Sequence, residues 1–263
     1  MYPIIFQSKY FTLNTYWLFF VIAIVIGVIV LVRLIFKNGL KLQFLSEHGW
    51  KMLLLGIIGA RLGGILSHAS SYFTNFSQDS LLRLFYIWDK AFNVWVGAFI
   101  FFLYLYKLSK KHEQDFWKWI DVFVPVIILI FGISSLGGFF EGINYGRETF
   151  LPWGVNFESP AIKYTVPIHP SQIYAFLYSI ALSIGLIFLS NHKKIKKINL
   201  SGLIGLLGIS LYSFLRFLEG FTRGDDTYTL YDIRVPQIIF IVIAISTIIG
   251  GRKYLKNKYH ESN

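Results

Sequence analysis

The stretch "TYWLFFVIAIVIGVIVLVRLIF" (residues 15–36) contains one charged side chain, Arg33, in an otherwise apolar run. A helix of about 20 consecutive apolar residues crosses the hydrocarbon core of a bilayer. The stretch therefore predicts a membrane-spanning helix. We do not expect it to be a cleavable signal peptide, because the apolar run is too long and no basic region directly precedes it.

Six further apolar blocks follow, and the composition agrees with a membrane protein. The 263-residue chain is 55% hydrophobic and only 15% charged, which leaves too little polar surface for a soluble domain of this length. We predict an all-α integral membrane protein with about seven transmembrane helices and a small irregular head on the outer face. The predicted spans are 14–36, 48–67, 92–108, 119–137, 172–190, 200–219 and 236–251. A single membrane domain would cover residues 1–263, with 138–171 as its extracytoplasmic head.

The basic residues predict the orientation in the membrane. Sixteen of the 25 lysine and arginine residues flank alternate connections between the spans, whereas the other side is balanced in charge. Because lysine and arginine collect on the cytoplasmic side, we expect an outer amino terminus and a cytoplasmic carboxyl terminus. Basic residues in short loops at helix ends bind anionic membrane lipids, so we expect lipid partners and no nucleic acid.

Several kinds of chemistry are disfavoured by the composition. The chain has no cysteine, which excludes disulfides, a thiolate nucleophile of its own and cysteine metal sites. Its six histidines show no metal-binding spacing, so we expect neither a metal nor a cofactor. No internal repeat is visible, which disfavours a transporter. The long irregular segments 68–91, 138–171 and 220–235 all fall on the predicted outer side, where we expect the function to reside.

Ionisable residues near the outer ends of the spans are the first candidates for a site. Arg61 follows small residues late in the second span, and Arg216, Glu219 and Arg223 follow one another along the end of the sixth. Charges at this depth are costly, and arginine suits a phosphate because its planar fork donates two parallel hydrogen bonds. The structural alternative is an Arg216–Glu219 ion pair, with Arg223 extending towards the interface.

The stretch "PIHPSQIYAF" (167–176) places polar residues at the mouth of the fifth span. Its two prolines fix the backbone, and Ser171 is expected to cap the helix that follows. His169, Gln172 and Tyr174 would then lie at the outer rim of the membrane. The local pattern fits a binding site and an ordinary capped helix end equally well.

Together, several segments resemble the prolipoprotein diacylglyceryl transferase family. The stretches that carry the resemblance occur in family order: "TYWLFF", "GARLGGILSH", "WDKAFNVWVGAFI", "SLGGFFEGINYGRETFLPWGV", "HPSQIY", "LYSFLRFLEGFTRGDD" and "IRVPQI". The resemblance implies seven spans and transfer of a diacylglyceryl group from phosphatidylglycerol, or a similar anionic phospholipid, to the lipobox cysteine of a preprolipoprotein. The reactive thiol belongs to the substrate, so an enzyme without cysteine is consistent with it.

The resemblance also implies roles for individual residues. Arg216 matches the essential arginine of the sixth span, His169 is the best candidate for a base, and Tyr16 matches a tyrosine of the first span. The residues implied in substrate or lipid binding are Arg61, Arg147, Gln172, Tyr174, Tyr212, Glu219, Arg223, Ser135 and Gly138.

This sequence departs from the family signature at two of these positions. Ser135 stands where the family has a phospholipid-binding arginine, and Gly138 stands where it has an asparagine. Three explanations are open. Arg147, Arg61 or Arg234 takes over the phosphate contact; the donor is a different lipid; or the chain is a non-catalytic lipid- or lipoprotein-binding homologue that keeps the fold.

Overall fold

The computed structural model describes residues 3–9, 12–69, 72, 92–157, 162–193, 195 and 200–262. Seven helices of more than one turn lie in this part of the chain: α1 Thr15–Lys37, α2 Leu42–Ser67, α3 Val94–Lys111, α4 Phe116–Glu141, α5 Ser171–Asn191, α6 Leu203–Glu219 and α7 Val235–Ser262. Two short hairpins accompany them, formed by β1 Ile4–Gln7 with β2 Thr12–Asn14 and by β3 Thr229–Leu230 with β4 Ile233–Arg234. The predicted helical class is confirmed.

The number of helices able to span a membrane is lower than predicted. Among the described residues, five helices are long and apolar enough to do so (α1, α2, α4, α5 and α7), not about seven. The third helix has only 18 residues and contains Lys107, Lys110 and Lys111, and the sixth has only 17 residues. The seventh predicted span covers only 236–251, but the helix that contains it, α7, has 28 residues.

The chain divides into two compact units, one made of Met1–Asn38 with Trp117–Asn263 and the other of Gly39–Phe116. In the first unit α4 is the central helix. Its buried residues lie all around it, as expected of a helix that is enclosed by others. Gly132 of α4 lies against Ser179 of α5, and Gly205 of α6 lies against Ile120, so small residues bring these helices close to α4.

The amino-terminal end of α6 is held by a carboxylate of α4. Asp121 accepts hydrogen bonds from the backbone N–H groups of Gly202 and Gly205, both at 2.7 Å. These N–H groups have no partner within the helix, and the positive end of the helix dipole favours an acid there. The contact positions α6 along its axis, and α6 carries Arg216 and Glu219 at its other end.

Asp121→Ala should destabilise the protein by about 1–2 kcal/mol, because two N–H groups at the end of α6 lose their acceptor. Thermal unfolding in detergent, followed by tryptophan fluorescence, measures the effect. The exposed Glu47, which accepts a hydrogen bond from Gln43, gives a control variant, Glu47→Ala, that should leave the midpoint nearly unchanged. Equal midpoints for the two variants would show that Asp121 does not hold α6.

The irregular head follows α4 in the first unit, and its predicted boundary at 138 falls inside α4, which ends at Glu141. Tyr145, Ile162 and Ile168 form a small buried apolar cluster in the head. Isolated backbone bridges join Glu148 and Val155 to Ile168. The head therefore has a core of its own.

In the second unit, α2 and α3 pack together through small residues. A side chain at Gly63 would collide with Val96, so glycine allows the close approach of the two helices. Asn93 caps α3 by accepting from the N–H groups of Trp95 and Val96. Most of the predicted outer segment 68–91 lies outside the described residues.

Candidate active site

The HPSQ stretch begins α5, but Ser171 does not cap the helix as predicted. Pro170 occupies the cap position, and Ser171 is the first helical residue. The hydroxyl of Ser171 instead donates to the carbonyl of Asn144 at 2.7 Å, and the amide of Gln172 donates to the carbonyl of Ile143 at 2.8 Å. The two side chains therefore fasten α5 to the turn after α4, because both carbonyls belong to that turn.

Backbone hydrogen bonds join this region to the end of α6. The N–H of Arg147 donates to the carbonyl of Thr222, and the N–H of His169 donates to the carbonyl of Arg147. A side chain at Gly146 would overlap the backbone of His169, so only glycine permits this approach. Residues that are far apart in the sequence thus meet at one end of the helices.

The centre of the site is the buried carboxylate of Glu219. Its Oε2 atom accepts a hydrogen bond from Nη1 of Arg216 at 2.7 Å and another from the hydroxyl of Tyr178 at 2.5 Å. Nη1 of Arg223 lies 3.8 Å from the Oε1 atom of Glu219. Glu219 is only 7% exposed, and a buried carboxylate is tolerated when such partners surround it. The Arg216–Glu219 ion pair expected as the structural alternative is therefore present.

Arg223 does not extend towards the interface but is held on several sides. Its Nε and Nη2 atoms donate to the two carboxylate oxygens of Asp225 at 2.8 and 2.9 Å, and Nη2 also donates to Oδ1 of Asn144 at 2.6 Å. Asn144 has a φ of 58°, a left-handed conformation that asparagine tolerates better than most residues. Arg223 thus joins the turn after α4 to the loop after α6.

Two further arginines meet at the carbonyl oxygen of Arg223. Nε of Arg147 and Nη1 of Arg234 each donate to this oxygen at 3.0 Å. Arg234 also pairs with Asp225 at 3.0 Å and is 5% exposed, whereas Arg147 is exposed. With Arg216 and Arg223, four guanidinium groups stand against the two carboxylates of Glu219 and Asp225, which leaves a net charge of +2.

A second polar group forms around Tyr174. Its hydroxyl accepts from the indole N–H of Trp153 at 2.7 Å and lies 3.2 Å from Nδ1 of His169. The Tyr174 hydroxyl has one proton to donate, and Nδ1 of His169 can accept it when the imidazole proton is on Nε2; which atom donates depends on the tautomer. Partial burial lowers the pKa of His169 below its ordinary value, which favours the neutral ring.

Tyr16 and Tyr212 occupy other helices of the same unit. The backbone N–H of Tyr16, in the first turn of α1, donates to Oε1 of Glu141 at the end of α4. Tyr212 lies one turn before Arg216 on α6 and stacks on Phe131 of α4, with ring centroids 6.2 Å apart. Arg61 belongs to the second unit, where its guanidinium lies over the rings of Tyr72 and Phe92.

Comparison with known proteins agrees with these features. A family profile described as prolipoprotein diacylglyceryl transferase matches residues 3–251. The chain belongs to this family. A phosphatidylglycerol–prolipoprotein diacylglyceryl transferase of Clostridium tetani is 30% identical over 224 residues, which cover 84% of this chain and 87% of the relative. The protein of the same name from Finegoldia magna is 26% identical over 241 residues, or 92% of this chain and 91% of the relative.

The two positions that depart from the family signature lie on one face of α4. The hydroxyl of Ser135 donates to the carbonyl of Phe131, one turn earlier in the same helix. Gly138 lies near the side chain of Gln172, and a Cβ placed there would be 3.3 Å from its nearest neighbour, Ile143. Gln172 is 2% exposed, and its Oε1 atom has no hydrogen-bond partner among the described residues.

Several contributors to the site are not apparent from the sequence. Asp225 stands in a polar loop with nothing to distinguish it, although its neighbour Arg223 is a candidate. Tyr178 lies one turn after Tyr174 on α5, a helical spacing that could have indicated it. Asn144 carries no signal of its own, because its role depends on the turn that places it beside Arg223.

Asp225→Asn should lower the unfolding midpoint at pH 7, because the charged hydrogen bonds from Arg223 and Arg234 are weakened. Burial alone would raise the pKa of Asp225, but the hydrogen bond from Arg223 and the charges of Arg223 and Arg234 outweigh it and lower this pKa. A lowered folded-state pKa stabilises the protein above the unfolded value of about 3.9. The difference in unfolding midpoint between Asp225→Asn and the wild type should therefore stay constant from pH 7 to about pH 4. It should become smaller as the pH falls further.

Asp226→Asn is the matched control, because Asp226 pairs with Lys163 at the surface, where an ion pair contributes little. Thermal unfolding over this pH range measures both variants. A difference that already closes near pH 6 would contradict the assignment to Asp225.

Proposed function

We propose that the protein transfers a diacylglyceryl group from phosphatidylglycerol to the lipobox cysteine of a preprolipoprotein. Membership in the family supports the reaction class, and the names of the relatives supply both substrates. In the balanced reaction, the cysteine sulfur forms a thioether bond to C3 of the glycerol. The C3–oxygen bond breaks, glycerol 1-phosphate leaves with the electron pair, and a base accepts the thiol proton.

The observation that carries this proposal is the cluster of linked arginines that includes Arg216 and holds two more guanidinium groups than paired carboxylates. The donor lipid brings one negative charge, and a second develops on the phosphate as the C3–oxygen bond breaks. Positive groups that are already in place stabilise such a charge without any rearrangement of the protein. This electrostatic stabilisation is often the largest single contribution to catalysis. Nη1 of Arg216 donates to Glu219, and the guanidinium, whose side chain is 24% exposed, lies over the ring of Phe240.

The other arginines have two different roles: two of them hold the loop after α6 in place, and one is available to bind the lipid phosphate. Arg223 and Arg234 are committed to Asp225 and to backbone oxygen, so they hold the loop rather than contact the lipid. Among the described contacts, Arg147 donates through Nε alone and is exposed. Arg147 is therefore the arginine whose terminal nitrogens can bind phosphate in place of the family arginine that Ser135 replaces.

His169 is the proposed proton acceptor, acting with Tyr174. The Tyr174 hydroxyl donates a hydrogen bond to Nδ1 of the neutral imidazole, so the thiol proton reaches His169 through Tyr174: the hydroxyl passes its own proton to Nδ1 and takes the proton of the thiol. A base is most effective when its pKa lies near the working pH, and histidine meets that requirement. Tyr16, Gln172 and Tyr212 line the same end of the unit and are proposed to shape the site.

We place the enzyme in the bacterial plasma membrane, with the site on the outer side. Lysine and arginine accumulate at the opposite ends of the helices, which supports a cytoplasmic location for those ends. The N–H of Tyr16 at the start of α1 donates to Glu141 at the end of α4, so these two helix ends lie on the same side of the membrane. This contact supports an outer amino terminus on the same side as the site, with the carboxyl terminus on the cytoplasmic side.

The decisive experiment incubates the purified protein with vesicles of phosphatidylglycerol and a lipobox peptide, followed by mass spectrometry of the peptide. A mass gain of one diacylglyceryl unit on the cysteine is expected. Arg216→Ala should slow transfer by about 10²–10³-fold, because one preorganised donor to the phosphate is removed. Arg252→Ala, at an exposed position of α7, should leave the rate unchanged.

The result can contradict the proposal in two ways. Wild-type protein that gives no product, beside an active family enzyme, would favour a non-catalytic lipid-binding homologue if other anionic donors also failed. Nearly full activity in Arg216→Ala, with the variant correctly inserted, would refute the role of Arg216.

His169 should set the acidic limb of the pH–rate profile. Because burial lowers its pKa, the limb should lie below pH 6.5. Tyr174→Phe removes a hydrogen bond that favours the neutral ring, so it should move the limb to higher pH. His169→Ala should remove this limb and slow transfer by about 10²-fold or more. A limb that stays in place in both variants would assign it to another group.

A further inference from the structure

We infer that the groove between α5 and α6 binds one acyl chain of the donor phospholipid, whose anionic headgroup lies at Arg216. The groove has a volume of about 370 Å³ and is lined by apolar side chains. Residues that mark its course are Tyr178, Leu182 and Gly185 of α5, and Leu207, Leu211 and Leu215 of α6. This inference rests on the proposed function and adds the binding site of the lipid tail.

The groove begins at the cationic site. Tyr178 lines its end, and the hydroxyl of the same residue donates to Glu219, which pairs with Arg216. Leu207, Leu211 and Leu215 are spaced four residues apart on α6, and Glu219 is the next residue on that stripe. The apolar wall therefore leads directly into the cluster of net positive charge, an arrangement complementary to a phospholipid with its charged head and apolar tail.

The groove extends from the site into the membrane. It runs along α5 from Tyr178 to Leu189, which at 1.5 Å per residue is roughly 16 Å. This is about half of the hydrocarbon thickness of about 30 Å, and the groove occupies the part of α5 that leads towards its cytoplasmic end at Asn191. An acyl chain held by its headgroup at Arg216 could lie along its whole length.

The groove is open along one side and is lined almost entirely by apolar atoms. A flexible alkyl chain can follow such a channel between two helices. Its continuity with the arginine cluster favours the tail of the anionic donor as the occupant.

Gly185 keeps the middle of the groove open. A Cβ at this position would meet no atom within 4 Å, so the absence of a side chain serves no close helix packing. Within a bilayer an acyl chain gains packing contacts rather than transfer out of water. The groove therefore acts mainly by orientation, because a fixed tail fixes the glycerol C3 atom relative to Arg216.

Gly185→Leu tests the inference by filling the groove. Gly250→Leu on α7 is the matched control, because a Cβ there also meets nothing within 4 Å and Gly250 does not line the groove. Transfer to a lipobox peptide is measured in detergent with two donors, dipalmitoyl- and dihexanoyl-phosphatidylglycerol. Gly185 lies seven residues beyond Tyr178, about 10 Å along the helix, so the short chains end before reaching it.

Gly185→Leu should slow transfer from the long-chain donor by about tenfold or more and leave the short-chain donor unaffected, because displacing the tail misplaces the reacting carbon. Gly250→Leu should match the wild type with both donors. Equal activity of Gly185→Leu and wild type with the long donor would overturn the inference. An equal loss with both donors would also overturn it, because general damage does not depend on chain length.

A binding measurement separates this inference from the proposed reaction. If the wild-type protein transfers neither donor, the reaction fails but the groove can still be tested with phosphatidylglycerol that carries a photoreactive diazirine in its acyl chain. Crosslinks to α5 and α6, mapped by mass spectrometry, should be several-fold weaker in Gly185→Leu than in Gly250→Leu. Equal labelling of the two variants would refute the acyl-chain site.

Discussion

The carboxylate of Glu219 is the constraint on which the site depends. A buried acid at this depth is costly unless positive and hydrogen-bonding groups surround it. Arg216 and Tyr178 supply those groups, and Arg223 lies close by. Because these residues come from α5, α6 and the loop that follows α6, satisfying one carboxylate also fixes three segments against one another.

The rest of the site is built outward from that carboxylate. Arg223 donates hydrogen bonds to Asp225 and Asn144, and its carbonyl oxygen accepts hydrogen bonds from Arg147 and Arg234. Among the described contacts, four arginines are thus brought together with two acids, Glu219 and Asp225. The surplus positive charge is tolerated in the folded state because Arg223 and Arg234, which hold the loop, are both paired with Asp225. The same positive charge can stabilise a phosphate that binds at the site. Stability and the proposed chemistry therefore use the same residues in different ways.

Much of the fold and part of the site could be predicted from local pattern. Apolar blocks located the seven described helices, because such runs indicate an apolar environment, but only five of these helices are long and apolar enough to span a membrane. The spacing of Arg216 and Glu219 on one helix indicated their ion pair, which depends on helical geometry alone. Predictions that depended on distant partners did less well: Ser171 was expected to cap its own helix but donates to Asn144, and Arg223 is held by Asp225 and Asn144.

The sequence by itself determined the membrane class, the helical elements, the family and the Arg216–Glu219 pair, because each follows from composition, periodicity or a contiguous motif. The tertiary structure decided which acceptors hold each arginine of the site, as in the pairing of Arg223 and Arg234 with Asp225. It also decided that an apolar groove leads from Tyr178 along α5 and α6. Both depend on contacts between segments far apart in the chain, and a local pattern does not specify where a side chain will find its partner.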